Sequence, residues 1–315
     1  MGPLTWLPVL DKAEELILTM TALDSSYGLD TYDYDLGPYL PSLRRLRFHF
    51  LRLGVVQLGM VLQSFPLVDT LVLSHLLRFI PFARPPQPPG SPLLAPPELL
   101  RELDLRWVPC STVRRVSEWM LRHPRPENLQ VLSLKIGFYA FGHAQCLLDK
   151  FGPLCLVDLN IEINIFVFEG VKRDVDTQMD PLLTRCTELR TLRIAITSYR
   201  ESSAMEYAPR AVACANAALS SVASPGLETI VIEAQEYVDP DSTDILEQLD
   251  WGSLAKTLRK PTFARLSKVI IKGTHFSDDF LASLKEKCSE LFSRELLSLV
   301  TTRVSTSPLW LKEAA

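Results

Sequence analysis

Apolar and polar positions along the chain fall into one recurring phrase: an apolar residue, two variable residues, an apolar residue, one variable residue, an apolar residue. The clear copies are Leu43-Leu46-Phe48, Val68-Leu71-Leu73, Leu100-Leu103-Leu105, Leu129-Leu132-Leu134, Leu156-Leu159-Ile161, Leu189-Leu192-Ile194, Leu227-Ile230-Ile232 and Leu266-Val269-Ile271. A weaker copy, Ala13-Leu16-Leu18, precedes them. The central positions are spaced by 25, 32, 29, 27, 33, 38 and 39 residues. The last two apolar residues of a phrase are two apart, so they point to one side of a strand. The first turns in from the approach to that strand. Pro41, Pro66, Pro97, Pro126 and Pro225 stand just before a phrase, and Pro153 stands three residues before Leu156. A proline there stops the preceding helix, because it lacks an N–H and clashes with the prior turn. One such unit cannot bury its apolar face, whereas stacked copies can, as a parallel sheet.

Helical spacing fills the intervals. Ser111 and Thr112 open a helix whose apolar positions Val113, Val116, Trp119 and Met120 share a face, and His123-Pro124 closes it. Further helices are predicted from Gly142 to Phe151, Arg210 to Val222, Asp241 to Leu258 and Ser277 to Phe292. Ser277 is the expected N-cap of the last, and Asp278 and Asp279 suit the positive end of its dipole. Two stretches read as loops. Pro81 to Pro97 holds eight prolines in 17 residues, a solvated polyproline-like insertion with PxxP spacings. Asp24 to Leu36 carries Asp30, Asp33 and Asp35 without the spacing or the glycine of a calcium loop.

The phrases quoted above resemble those of the leucine-rich repeat family, over roughly residues 10–275. The Asn or Cys usual after the phrase is replaced by Leu51, Leu76, Val108 and Gly137 in the first four copies, and the intervals are long. Both features are similar to the irregular repeats of fungal F-box proteins. The resemblance implies an α/β solenoid of eight to nine repeats, a horseshoe arc with parallel strands on the concave side and helices on the convex side. The expected organisation is one solenoid over 1–315, with the loop insertion at 81–97 and a capping segment at 277–315. It further implies the substrate-recognition part of a ubiquitin-ligase adaptor. An F-box would open with a phrase such as LPxEIL, and LTWLPVLDKAEELIL has only its Leu-Pro. A Skp-type adaptor is therefore an expected partner only if an F-box lies upstream of Met1.

Composition supports a packed, soluble chain: 47% of the 315 residues are hydrophobic, 22% are charged and 54 are leucine. Net charge is −4, which speaks against a nucleic-acid-binding protein. The six cysteines form no CxxC pair and read as reduced core thiols. With no basic leader and no apolar run long enough for a span, a cytoplasmic or nuclear protein without membrane contact is expected.

The residues between the inward apolar positions of each strand form three columns on the other face. Their polar members are the candidate protein-binding residues: Arg45, Arg47 and His49; Glu102, Asp104 and Arg106; Lys135; Asp158, Asn160 and Glu162; Arg193; Glu233; Lys268 and Lys272. Their alternating sign suits a protein partner rather than a phosphate backbone. GxSxG, GxGxxG, GxxxxGK[ST] and HExxH are all missing, and His143 with Cys146 is the nearest approach to a catalytic pair. No catalytic residue, cofactor or metal is expected. The reading is a non-catalytic, monomeric protein-binding scaffold. Its alternatives are a stand-alone repeat protein or a nonfunctional fragment and, from another class, an α/β enzyme without a recognisable motif. Trp6, Leu7, Val9 and Leu10 are expected to be partly exposed at an uncapped start.

Overall fold

The computed structural model describes residues 10, 12–19, 37–49, 55–74, 95–108, 110–123, 128–136, 141–164, 183–198, 204–236 and 245–302. The acidic stretch 24–36, residues 81–94 of the proline-rich stretch, Trp6, Leu7 and Val9, and the end 303–315 of the expected cap lie outside the described residues. Two compact units form, one from residues 1–135 and 139–151, the other from 136–138 and 152–315.

The first unit carries strands β1 (Glu15–Thr19), β2 (Arg45–His49), β3 (Thr70–Ser74), β4 (Glu102–Trp107) and β5 (Val131–Ile136). Its helices are α1 (Val55–Gln63), α2 (Cys110–Arg122) and α3 (Phe141–Phe151). The second carries β6 (Asp158–Asn164), β7 (Thr191–Ser198), β8 (Thr229–Glu236), β9 (Lys268–Gly273) and β10 (Leu297–Thr301). Its helices are α4 (Ala204–Ser220), α5 (Trp251–Leu258), α6 (Asp278–Lys287) and α7 (Ser289–Ser293). Within each unit every strand pairs parallel with the next.

The phrase sets the register. Central positions lie side by side as Leu16, Leu46, Leu71, Leu103 and Leu132 in the first unit. Leu159, Leu192, Ile230, Val269 and Leu297 do so in the second. All three apolar positions of the eight clear phrases are at most 4% exposed. Burying one such side chain stabilises by about 1.5–3 kcal/mol, so this ladder outweighs any surface ion pair, worth about 0–1 kcal/mol. The weak first copy is a genuine strand, with Leu16 and Leu18 half-buried.

A second regularity ties the units together internally. Ahead of seven of the strands, two successive N–H groups share one carbonyl of the preceding repeat. Arg44 and Arg45 donate to Glu14, Asp69 and Thr70 to Arg44, Arg101 and Glu102 to Asp69, and Gln130 and Val131 to Arg101. In the second unit Arg190 and Thr191 donate to Val157, Glu228 and Thr229 to Arg190, and Ser267 and Lys268 to Glu228. The backbone thus satisfies its approach to these strands from the neighbouring repeat. Ser224 adds a side-chain stitch, its Oγ donating to the Thr187 and Leu189 carbonyls at 2.8 and 2.7 Å.

α2 buries the stripe that helical spacing predicts, Val113, Val116, Trp119 and Met120; α3, which packs on α2, buries the expected Leu147 and Phe151 together with Ala144 and Leu148, while Cys146, expected on the same stripe, is exposed. α4 lies against β6 and β7. It starts at Ala204, six residues before the expected Arg210, and takes Pro209 into its second turn. The predicted helix Asp241 to Leu258 divides: a 3-10 turn over Ile245–Gln248 precedes α5, whose N-cap Asp250 accepts from the Ser253 N–H at 2.9 Å. The predicted helix Ser277 to Phe292 breaks at Cys288 into α6 and α7. Ser277 caps α6 as expected, accepting from the Phe280 N–H at 3.0 Å. Beyond α7 the expected cap contains a further strand, β10, entered through Glu295 at φ 56°. No helix among the described residues is long and apolar enough to cross a membrane.

Candidate functional site

The candidate residues occupy the strand positions that alternate with the buried ladder, so each strand carries them onto the opposite face of its sheet. In the first unit the first column is Arg45, Thr70, Glu102 and Val131, and the second is Arg47, Val72, Asp104 and Ser133. In the second unit the three columns begin at Asp158, Asn160 and Glu162. They run Asp158, Thr191, Thr229, Lys268; Asn160, Arg193, Val231, Ile270; and Glu162, Ala195, Glu233, Lys272.

One column is not as expected. His49 lies beside Ser74, but the position opposite Ser74 on β4 belongs to Trp107, not Arg106. Two residues separate Asp104 from Trp107, while one separates Val72 from Ser74, so β4 carries an extra residue, a β-bulge. The cause is local. Asp104 Oδ1 accepts from the backbone N–H of Arg106 at 3.0 Å, an Asx turn that shortens the strand here. The Arg106 guanidinium closes on the same carboxylate, with Nη2 2.6 Å from Oδ2.

The columns are also less open than alternation alone predicts. Asp104, Glu162 and Glu233 are buried, at 5, 3 and 6% exposure. Each carboxylate holds a partner: Asp104 has Arg106, Glu233 takes an ion pair from Arg193, and Glu162 accepts from Thr197 Oγ1 at 3.1 Å. Arg47 pairs with Glu15 across β1 and β2 at 2.7 Å. His49 Nδ1 lies 2.5 Å from Ser74 Oγ, and Ser74 is buried. Arg45 and Lys268 are exposed, while Glu102, Lys135, Asp158, Asn160, Arg193 and Lys272 are half-buried. Asn160 Oδ1 and Arg193 Nε are shielded from water and lack a hydrogen-bond partner among the described residues.

Sequence reasoning missed a fourth column in the second unit, Asn164, Thr197 and Gln235, because β6, β7 and β8 outrun the phrase. The signal was present: alternation continues through Ile163 and Ile196. It also missed Ser298 and Val300, which β10 sets beside Ile270 and Lys272.

Of the cysteines expected in the core, Cys186, Cys214 and Cys288 are buried, whereas Cys155 is half-buried and Cys146 on α3 is exposed. Burial pushes Cys288 up to about 11, and its Sγ lies 3.7 Å from the Trp251 carbonyl. Burial also raises Cys214 far above the ordinary thiol range. Both are protonated at neutral pH and poor nucleophiles. Among the described residues no group of three or more His, Cys, Asp or Glu side chains is placed to hold a metal ion. The arrangement offers ion-paired polar rows in which Arg45, Lys268 and Lys272 have no ion pair among the described residues. Compared with known proteins, the chain matches no family model and no curated protein.

Proposed function

We propose that the chain is a non-catalytic protein-binding scaffold of the leucine-rich repeat type, in which the alternating strand positions form the recognition surface. The observation that carries the reading is the constant register. One phrase, repeated, fixes the buried strand positions, and the intervening positions carry residues of either charge. A surface built this way can change its chemistry without disturbing its core, which is what a recognition scaffold requires. The mixed sign of Arg45, Glu102, Asp158 and Lys268 supports a protein partner over a polyanion.

Within that reading, the chain acts as the substrate-recognition part of an F-box ubiquitin-ligase adaptor in the cytoplasm or nucleus. A Skp-type adaptor then binds through an F-box preceding this segment, and a stand-alone scaffold is the form the protein takes without one. The test is affinity capture of the tagged chain from its own cell lysate. Expected is one enriched protein whose recovery falls at least about tenfold with Arg45→Glu plus Glu102→Lys, a loss of about 1.4 kcal/mol or more. Co-recovery of a Skp-type adaptor and a cullin supports the ligase role. Recovery of chaperones alone overturns the scaffold reading.

A further inference from the structure

We propose that the β9–β10 end of the strand face docks an acidic, extended segment of a protein partner, with one apolar side chain of that segment between two carboxylates. This rests on the protein-binding reading above and names the chemistry it takes at one place.

The charges on the strand faces differ in one respect. Arg47, Arg106 and Arg193 are each paired with a carboxylate. Lys268 and Lys272, both on β9, pair with none among the described residues. Glu233 is the register neighbour of Lys272, but its carboxylate is engaged by Arg193. Arg45 is likewise without an ion pair among the described residues, but the next basic residue on its strand, Arg47, is paired with Glu15, so β2 offers one such cation where β9 offers two. The two lysines therefore form an uncompensated positive site on a chain of net charge −4.

Between them one apolar residue stands on the same side, and a second flanks Lys272. Ile270 lies midway on β9, on the same side as both lysines. Val300 of β10 is the register neighbour of Lys272 and is 41% exposed. Ser298, the register neighbour of Ile270, has an Oγ shielded from water with no hydrogen-bond partner among the described residues. The lysines are four residue steps apart along the strand, about 13 Å. An extended peptide advances the same distance in four residue steps, so carboxylates at positions 1 and 5 reach the lysines while position 3 reaches Ile270, with Val300 beside the Lys272 end. The matching pattern is acid, any, apolar, any, acid.

The test titrates the full chain against fluorescein-labelled Gly-Glu-Ser-Leu-Ser-Glu-Gly amide, read by anisotropy. The expected result is saturable binding that weakens about tenfold in Lys268→Glu plus Lys272→Glu, and by a similar factor between about 0.05 and about 0.5 M salt. The milder pair Lys268→Met plus Lys272→Met, whose thermal melt matches the parent, shows an intermediate loss. A probe with Ser in place of Leu binds several-fold more weakly. No saturable binding, equal binding of a Lys-Ser-Leu-Ser-Lys probe, equal competition by single-stranded DNA, or indifference to both lysine pairs overturns the proposal. The broader reading is tested separately. A captured partner that survives the lysine variants but is lost with Arg45→Glu plus Glu102→Lys leaves the scaffold standing and removes this site alone.

Discussion

At the residue scale, the strand face is held by ion pairs whose members depend on each other. Glu233 is buried and its charge is answered by Arg193, so Arg193→Met leaves a carboxylate without its cation. We expect about 2 kcal/mol of destabilisation in urea unfolding, and about half that for Glu233→Gln, whose amide oxygen still accepts from the guanidinium. His123 gives a pH dependence. Desolvation first, then the charge of Lys150, holds its imidazole below the ordinary value of 6.5. Its Nε2 has no partner among the described residues to receive a proton's hydrogen bond. The unfolded chain therefore binds that proton more readily than the folded one. The contribution to stability is full above the ordinary histidine range and is lost as pH falls through it toward the depressed folded value. Lys150→Met raises the His123 value part of the way, seen by NMR titration. It also removes the ammonium that donates to the Met120, Leu121 and His123 carbonyls at 2.9, 3.1 and 2.8 Å, a loss of about 1–2 kcal/mol. Alternation in the sequence identified which face Asp104, Glu162 and Glu233 occupy. It carried no sign of their burial, because burial depends on partners 2, 35 and 40 residues away.

At the element scale, the phrase made the strands legible because three apolar positions in six residues leave only one side of a strand able to enter a core. The same logic separates positions that look alike. Leu192, fully buried in β7, loses about 2–5 kcal/mol on replacement by alanine, whereas Ile17, 52% exposed on β1, loses less than about 1 kcal/mol. Chemical denaturation of the two variants checks this, and equal losses would contradict the register. Ser277→Ala costs α6 about 1 kcal/mol, since the hydroxyl both caps Phe280 N–H and donates to Glu247 at 2.7 Å. β10 escaped sequence reading because Arg294 stands where its phrase needs the first apolar residue. α1 escaped because its apolar residues run nearly unbroken, Val55–Gln63, and give no clear stripe. The β4 bulge was hidden because an Asx turn inside a strand depends on where one carboxylate points, not on residue type alone.

At the scale of the whole molecule, a chain with 54 leucines commits the three apolar positions of each repeated phrase to an internal ladder. The resulting units have cores set by identical local rules, and their individuality lies in the alternate positions. Those positions carry mixed charge, partly locked into pairs and partly free. The central claim is that recognition occurs there and not on the helices. The most direct measurement is the affinity of the isolated captured partner for two sets of charge reversals. One set is Arg45→Glu, Glu102→Lys and Lys268→Glu on the strands. The other is Lys256→Glu on α5 and Lys285→Glu on α6, exposed helix positions. The account predicts that at least one strand variant weakens binding about tenfold while both helix variants stay within about twofold. Loss confined to the helix variants would contradict it.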